Sequence, residues 1–242
     1  MSRRTITLRA FMVVAMLSAV WQMQASNAQA QDAKTPYPAM APLDQYLMAD
    51  RDAEIALARS AAPPSVSRDA TVMVLGRHGY EAAVEGKNGF VCVVDRAWMN
   101  AFENSPEFWN PKNRGPVCYN ASAARVVLPI TMLRTKFVLA GQSKAEISAS
   151  MKAAIDKKEL PTVEPGAMAY MLSKEGRLND HAGHWLPHLM FYVPLKDANT
   201  WGAGAPDSPL LVNPHFNGAP EPVTEFMVPV SEWSDGTPAP AM

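Results

Sequence analysis

Residues 71–95 constrain the fold most, because three β-prone runs there are separated by two glycine-bounded tetrapeptides, GRHG at 76–79 and GKNG at 86–89. Asn-Gly between β-prone runs is a strong hairpin signal, since both central residues of a type I′ turn need a positive φ. The pattern therefore predicts a three-strand antiparallel meander.

Helical signals follow this stretch, and further strand signals follow the helices. Pro129 fits the first turn of a helix that ends near Ala140, and Ser143 with Glu146 forms a capping box for a second helix, so we predict a helical hairpin. Apolar runs that predict later strands lie at 167–172, 189–193, 209–212 and 225–230. The predicted class is α+β: an antiparallel sheet built from the N-terminal three-strand meander and C-terminal strands, with the helical hairpin between them.

The first thirty residues have the three-part layout of a secretory signal peptide. Three arginines precede an apolar run at 10–20, which is shorter than the roughly twenty residues that span a bilayer, and AQA follows at 28–30. We predict a signal peptide at 1–30, an N-terminal tether at 31–42 and one globular domain at 43–242. The mature protein should be periplasmic or secreted, soluble and without a transmembrane segment. The paired arginines near the start partly match a twin-arginine signal, so Sec and twin-arginine export both stay open.

Removal of the signal peptide makes the chain more acidic. The signal holds three of the 22 basic residues and none of the 23 acidic ones, so 19 basic residues remain against 23 acidic residues, a formal charge of −4. The sequence has no basic stripe of the kind that neutralises phosphates. Nucleic acid is therefore not an expected partner.

The chain contains two cysteines, Cys92 and Cys118. Export would deliver them to an oxidising compartment, where thiols tend to pair. We therefore predict a disulfide that clamps the loop preceding Cys118 to the strand-like run around Cys92. Two buried free cysteines are the alternative.

Three of the five histidines, His181, His184 and His188, lie within eight residues directly before an apolar run. Imidazole is a common metal ligand, so this cluster is a candidate site for one divalent ion, with zinc favoured and Asp180 or a water as a further ligand. Pro187 disfavours a continuous helix here, so a loop must supply the geometry. The alternative is a polar loop whose histidines satisfy backbone groups where a strand enters the core.

Common catalytic motifs are absent from the sequence. It has no His-Glu-x-x-His zinc helix, no Gly-x-x-x-x-Gly-Lys phosphate loop, no Gly-x-Gly-x-x-Gly turn and no Cys-x-x-Cys pair. Ser143 follows Gly141 at a predicted helix start, as the nucleophile of a serine hydrolase does, but Ala145 replaces the final glycine of that motif. Ser143 already has a role as an N-cap, which weakens the hydrolase interpretation.

Several long stretches resemble a family of uncharacterised exported bacterial proteins. They are YPAMAPLDQYLMADRDAEIALARSA, VMVLGRHGYEAAVEGKNGFVCVV, FWNPKNRGPVCYN and NDHAGHWLPHLMFYVPL. The resemblance spans most of the mature chain and implies bacterial export. It implies no activity, fold or site residues.

These observations favour an exported protein of the bacterial envelope with a non-catalytic binding or accessory role. Its expected partner is a small molecule or a component of the envelope. A zinc hydrolase that uses the three-histidine loop is the first alternative, and a serine hydrolase that uses Ser143 is the second. The sequence leaves open whether the protein is an enzyme and whether it binds a divalent metal.

Cleavage after Ala30 is the prediction that tests export most directly. Ala28 and Ala30 fit the small-residue preference of signal peptidases, so Gln31 should become the N-terminus. The intact mass of protein recovered from the periplasm or the medium should correspond to residues 31–242. An exported species that keeps the apolar run at 10–20 would contradict the prediction.

Overall fold

Eight strands form one sheet in the computed structural model of the protein, which describes residues 36–99, 105–180, 186–212 and 221–240. The chain divides into two units, Met1–Pro38 and Ala39–Met242, and the sheet belongs to the second. The strands are β1 Thr71–Gly76, β2 Gly79–Val84, β3 Val91–Asp95, β4 Gly115–Tyr119, β5 Met168–Met171, β6 His188–Pro194, β7 Leu211–Val212 and β8 Val223–Pro229. The α-helices are α1 Arg51–Arg59, α2 Pro64–Ser67, α3 Ala121–Val126, α4 Leu128–Leu139 and α5 Lys144–Asp156. Short 3-10 helices lie at Leu43–Gln45, Ala97–Met99 and Ala198–Trp201.

The strands follow the order β2-β1-β3-β4-β5-β6-β8-β7 across the sheet. β1 and β3 run parallel, and every other described pair of neighbours is antiparallel. Strands occur at all four predicted late runs, and the helices α3 to α5 separate them from the early strands. The α+β class is therefore confirmed. Within the described ranges, no helix is long and apolar enough to cross a membrane.

The predicted meander is wrong in its second connection. β1 and β2 form a hairpin around GRHG, but β3 pairs with β1 instead of β2. The GKNG segment runs back beside the residues that precede β1, where the amides of Lys87 and Asn88 donate hydrogen bonds to the Asp69 carbonyl oxygen. A Cβ on Gly86 would come within 2.1 Å of the Thr71 nitrogen. Because Gly86 has no side chain, the two backbone segments can approach closely, and β3 then pairs on the far side of β1.

The helix boundaries predicted after residue 128 agree with the structure. Pro129 lies in the first turn of α4, and Gly141 follows the helix with a φ of +78°, a left-handed conformation that favours glycine. Ser143 caps α5, and its reciprocal hydrogen bonds with Glu146 confirm the predicted capping box. α4 and α5 contact each other across the short turn between them.

α1 packs against one face of the sheet through small side chains. Asp50 starts the helix, because its carboxylate accepts hydrogen bonds from the amides of Asp52 and Ala53. The buried residues of this layer are Ala58, Ala61, Ala62, Ala70, Val72, Cys92, Val94 and Cys118. Alanines on the helix and in the turn after it allow the helix backbone to lie close to β1, β3 and β4.

Cys92 and Cys118 form a disulfide within this layer. They lie directly opposite each other on β3 and β4, and their Cα atoms are 4.0 Å apart. The sequence predicted a bond between a strand and a loop, whereas the bond joins two neighbouring strands beneath α1. It therefore fixes the register of the sheet at the strand pair that carries the helix.

Loss of the disulfide should lower the free energy of unfolding by about 3 kcal/mol, because an open loop raises the entropy of the unfolded chain. Urea denaturation of the protein with and without dithiothreitol measures this difference. The Cys92→Ala/Cys118→Ala double variant is the control, since dithiothreitol should leave its stability unchanged. Thiol alkylation of the denatured, unreduced parent should label neither cysteine, and labelling of both would contradict the bond.

Candidate functional site

A cavity of about 60 Å³ lies between α4 and the face of the sheet opposite α1. We call it the acidic cavity. Successive side chains of a strand point to opposite faces, so Cys92 and Val94 of β3 face α1 while Asp95 faces the cavity. The strand residues that line it are Asp95, Tyr119, Met171, Met190, Tyr192, Val223 and Glu225.

One side of α4 covers the cavity. Its lining residues there are Val127, Ile130, Thr131 and Arg134, whose spacing of three and four places them on one helical face. Met99 and Glu221 complete the wall. Opposite Asp95 on β4 lies Gly115, where a Cβ would stand 3.2 Å from the Leu178 Cδ2 and 3.4 Å from the Asp95 Cβ. The missing side chain lets Leu178 and Asp95 pack closely against this strand.

Arg134 and Glu221 form a buried ion pair in the wall of the cavity. The Arg134 Nη2 donates to the Glu221 Oε1, and neither side chain is more than 2% exposed. The Arg134 Nη1 also donates to the Met99 carbonyl oxygen at 3.5 Å. The second carboxylate oxygen of Glu221, Oε2, is buried and has no hydrogen-bond partner among the residues that the structure describes. One acceptor of this pair is therefore left unsatisfied inside the cavity wall.

Asp95 and Glu225 are two further buried acids, 8% and 7% exposed. Burial raises the pKa of Asp95 to about 8, although the positive charge of Arg96 opposes the shift. Burial also raises the pKa of Glu225 to about 8, and the negative charge of Asp95 adds to it. The Asp95 Oδ1 is buried without a hydrogen-bond partner within the described ranges. Buried acids with strongly raised pKa values beside a cavity mark a candidate functional site.

Two tyrosines share the cavity with these acids. Tyr192 lies directly opposite Glu225 in the pairing of β6 with β8, and its ring centroid is 6.4 Å from that of Tyr119. Burial raises the pKa of both phenols well above the ordinary value, with a further contribution from Asp95 at Tyr119 and from Glu225 at Tyr192. Both therefore stay protonated near neutral pH and present neutral hydroxyl groups and aromatic faces.

The structure describes one of the three residues of the predicted histidine site. His188 belongs to β6, lies opposite Met171 and is 4% exposed. Its Nδ1 is 2.8 Å from the Leu186 carbonyl oxygen, and burial lowers its pKa. His181 and His184 lie outside the described residues, so the three-histidine metal site stays a prediction. Among the side chains that are described, no group of three His, Cys, Asp or Glu is arranged to hold a metal ion.

Ser143 lies in the exposed turn before α5, away from the acidic cavity. Its Oγ is 2.8 Å from the Glu146 Oε2, within the capping box. The hydroxyl therefore acts in the cap, as the sequence analysis favoured. The serine-hydrolase alternative gains no support from the geometry.

Sequence reasoning missed the acidic cavity, although two signals pointed to it. Asp95 ends the apolar run VCVVD, and Glu225 interrupts the apolar run VTEFMV. Carboxyl groups are almost never fully buried without a partner, so an acid within a predicted core strand is informative. No family model matches the chain, and no curated protein or solved structure is similar to it.

The free energy of unfolding should fall as pH rises from about 4 to about 8. In this window the folded protein keeps protons on Asp95 and Glu225 that the unfolded chain releases, because the folded pKa values of about 8 exceed ordinary values of 3.8 and 4.5. The Asp95→Asn/Glu225→Gln double variant should lose this dependence and should be more stable than the parent at pH 8, where the parent must keep or give up the protons of both buried acids. Urea denaturation at pH 5, 6.5 and 8 measures both.

The matched control is Glu232→Gln, which removes a carboxyl group from an exposed position. Its stability should follow that of the parent at every pH. Equal pH dependence in the parent and the double variant would show that the two buried acids do not hold raised pKa values.

Proposed function

We propose that the protein is an exported, non-catalytic binding protein of the bacterial envelope or periplasm, and that the acidic cavity holds its small-molecule ligand. The unsatisfied Oδ1 of Asp95 in the wall of this cavity carries the proposal. Ligand sites are typically concave and largely apolar, with a few placed polar groups. A ligand that donates a hydrogen bond here would satisfy a buried acceptor that the described residues leave open.

The two acids favour binding over acid–base catalysis. A general acid and a general base in one site need environments that push their pKa values apart, so that one carboxyl is protonated while the other is ionised. Burial raises the pKa of both Asp95 and Glu225 to about 8. At neutral pH both are largely protonated, and the third carboxylate of the cavity, Glu221, is held in its ion pair with Arg134.

Export is inferred from the signal peptide pattern and from the resemblance to exported bacterial proteins. The disulfide between Cys92 and Cys118 is compatible with this location, because disulfides persist in oxidising compartments. The proposal needs neither the histidine loop nor Ser143.

Methionine methyl groups offer a direct test, because Met99, Met171 and Met190 line the acidic cavity. We expect fragments from a library of amines, carboxylic acids, alcohols and neutral heterocycles to shift the methyl resonances of these three residues in [methyl-13C]methionine-labelled protein. Met151, buried on α5 and outside the cavity lining, should not move.

The matched variant is Ile130→Phe, which fills part of the cavity from α4. It should keep the fold, judged by its thermal midpoint, and should reduce the methyl shifts at saturating fragment at least severalfold. If no fragment moves the three cavity methyls, or if fragments move Met151 equally, the cavity is not the binding site.

A further inference from the structure

We infer that the ligand of the acidic cavity is an organic ammonium ion, a protonated amine that carries a short apolar portion. The inference rests on the proposed binding function and names the class of ligand. Its basis is the set of unsatisfied atoms, the balance of charge and the composition of the walls.

Once Asp95 is ionised, the unsatisfied oxygens favour a ligand that donates hydrogen bonds. Asp95 Oδ1 and Glu221 Oε2 are both buried and both lack a hydrogen-bond partner among the described residues. A carboxylate oxygen accepts hydrogen bonds and donates none. An ammonium group brings up to three donors and a positive charge, and charge-assisted hydrogen bonds to carboxylates are stronger than neutral ones.

The charges that face the cavity are predominantly negative. Its described lining contains three carboxyl groups, Asp95, Glu221 and Glu225, and a single guanidinium, Arg134. Arg134 is already paired with Glu221 in a buried ion pair. When Asp95 and Glu225 have lost their protons, at a pH near or above 8, the lining carries a net charge of −2, which favours a cationic ligand and repels a carboxylate or a phosphate.

The walls favour an organic cation over a bare metal ion. No group of three acidic or histidine side chains within the described ranges is arranged around one metal position. Tyr119 and Tyr192 instead line the cavity together with Met99, Met171 and Met190. Aromatic faces attract organic cations, and methionine adapts to irregular apolar groups.

Binding should be coupled to the release of protons. The ammonium ion stays protonated, an acid of the cavity loses its proton to the solvent, and the carboxylate that results pairs with the cation. Affinity should then rise with pH up to about 8, where burial places the pKa of Asp95 and Glu225. Arg96, Tyr80, Tyr119 and Tyr192 interact electrostatically with one or both of these acids, and Arg134 and Glu221 share the lining of the cavity with them.

Isothermal titration calorimetry with three compounds of similar shape tests the inference: phenethylamine, 2-phenylethanol and 3-phenylpropanoate. We expect phenethylamine to bind at least about tenfold more tightly than the other two at pH 8, and about tenfold more tightly at pH 8 than at pH 6. Its binding enthalpy at pH 7 should differ between phosphate and Tris buffers by an amount that indicates proton release.

The Asp95→Asn/Glu225→Gln variant should lose the preference for the amine and the proton release, while Glu232→Gln should keep both. If the alcohol or the carboxylate binds as tightly as the amine, or if none of the three binds, the inference is wrong. In that case the methionine methyl shifts caused by the wider fragment library still test, independently, whether the cavity binds a small molecule at all. Tight binding of the amine to the parent protein without proton release would also contradict the ammonium inference. The buffer dependence of the binding enthalpy shows this in the parent protein alone.

Discussion

The buried ion pair between Arg96 and Glu54 fixes the strand end on which the site depends. The Arg96 Nη2 lies 2.8 Å from the Glu54 Oε1, and their side chains are 0% and 2% exposed. Arg96 also donates from Nε to the Tyr46 carbonyl oxygen at 2.7 Å, and Glu54 accepts from the Leu75 amide at 3.2 Å. These bonds connect α1, β1 and the turn at Tyr46 to the end of β3. Since they hold Arg96 on the α1 side, the preceding Asp95 is turned into the acidic cavity.

The local elements of the fold could be predicted from the sequence, but their arrangement could not. Capping residues and the strand periodicity act within a few positions, so α5 with its Ser143 cap and the late strands were found. The GKNG segment carried a valid hairpin signal, yet β3 pairs with β1, because Gly86 permits contact between two backbone segments about fifteen residues apart. The hydrogen bonds of Asp69 that hold this segment form between residues distant in sequence. Patterns within a short window do not report such contacts.

The site shows the same division between local and distant information. A histidine cluster is visible because its members are adjacent in sequence, and so it was singled out. The acids of the cavity come from positions 95, 221 and 225, and they meet because β3 and β8 belong to one sheet beneath α4. No short stretch of sequence shows that these three acids lie close together. Their burial follows from the strand order, which the sequence did not predict.

Two kinds of buried acid occur in this sheet, and the difference between them bears on function. Glu54 and Glu221 are paired with arginines, so their charge is compensated within the protein. Asp95 and Glu225 have raised pKa values and stay largely neutral by holding their protons. The charge of a paired carboxylate is already compensated, so a ligand can add only a hydrogen bond to its unsatisfied oxygen, whereas a protonated carboxyl can exchange its proton for a cation at little net change in charge. Burial of Asp95 and Glu225 destabilises the empty protein at alkaline pH, because the ionised carboxylates are poorly solvated. If the cavity binds a ligand as proposed, the same burial makes it select a cation over a neutral molecule of the same shape.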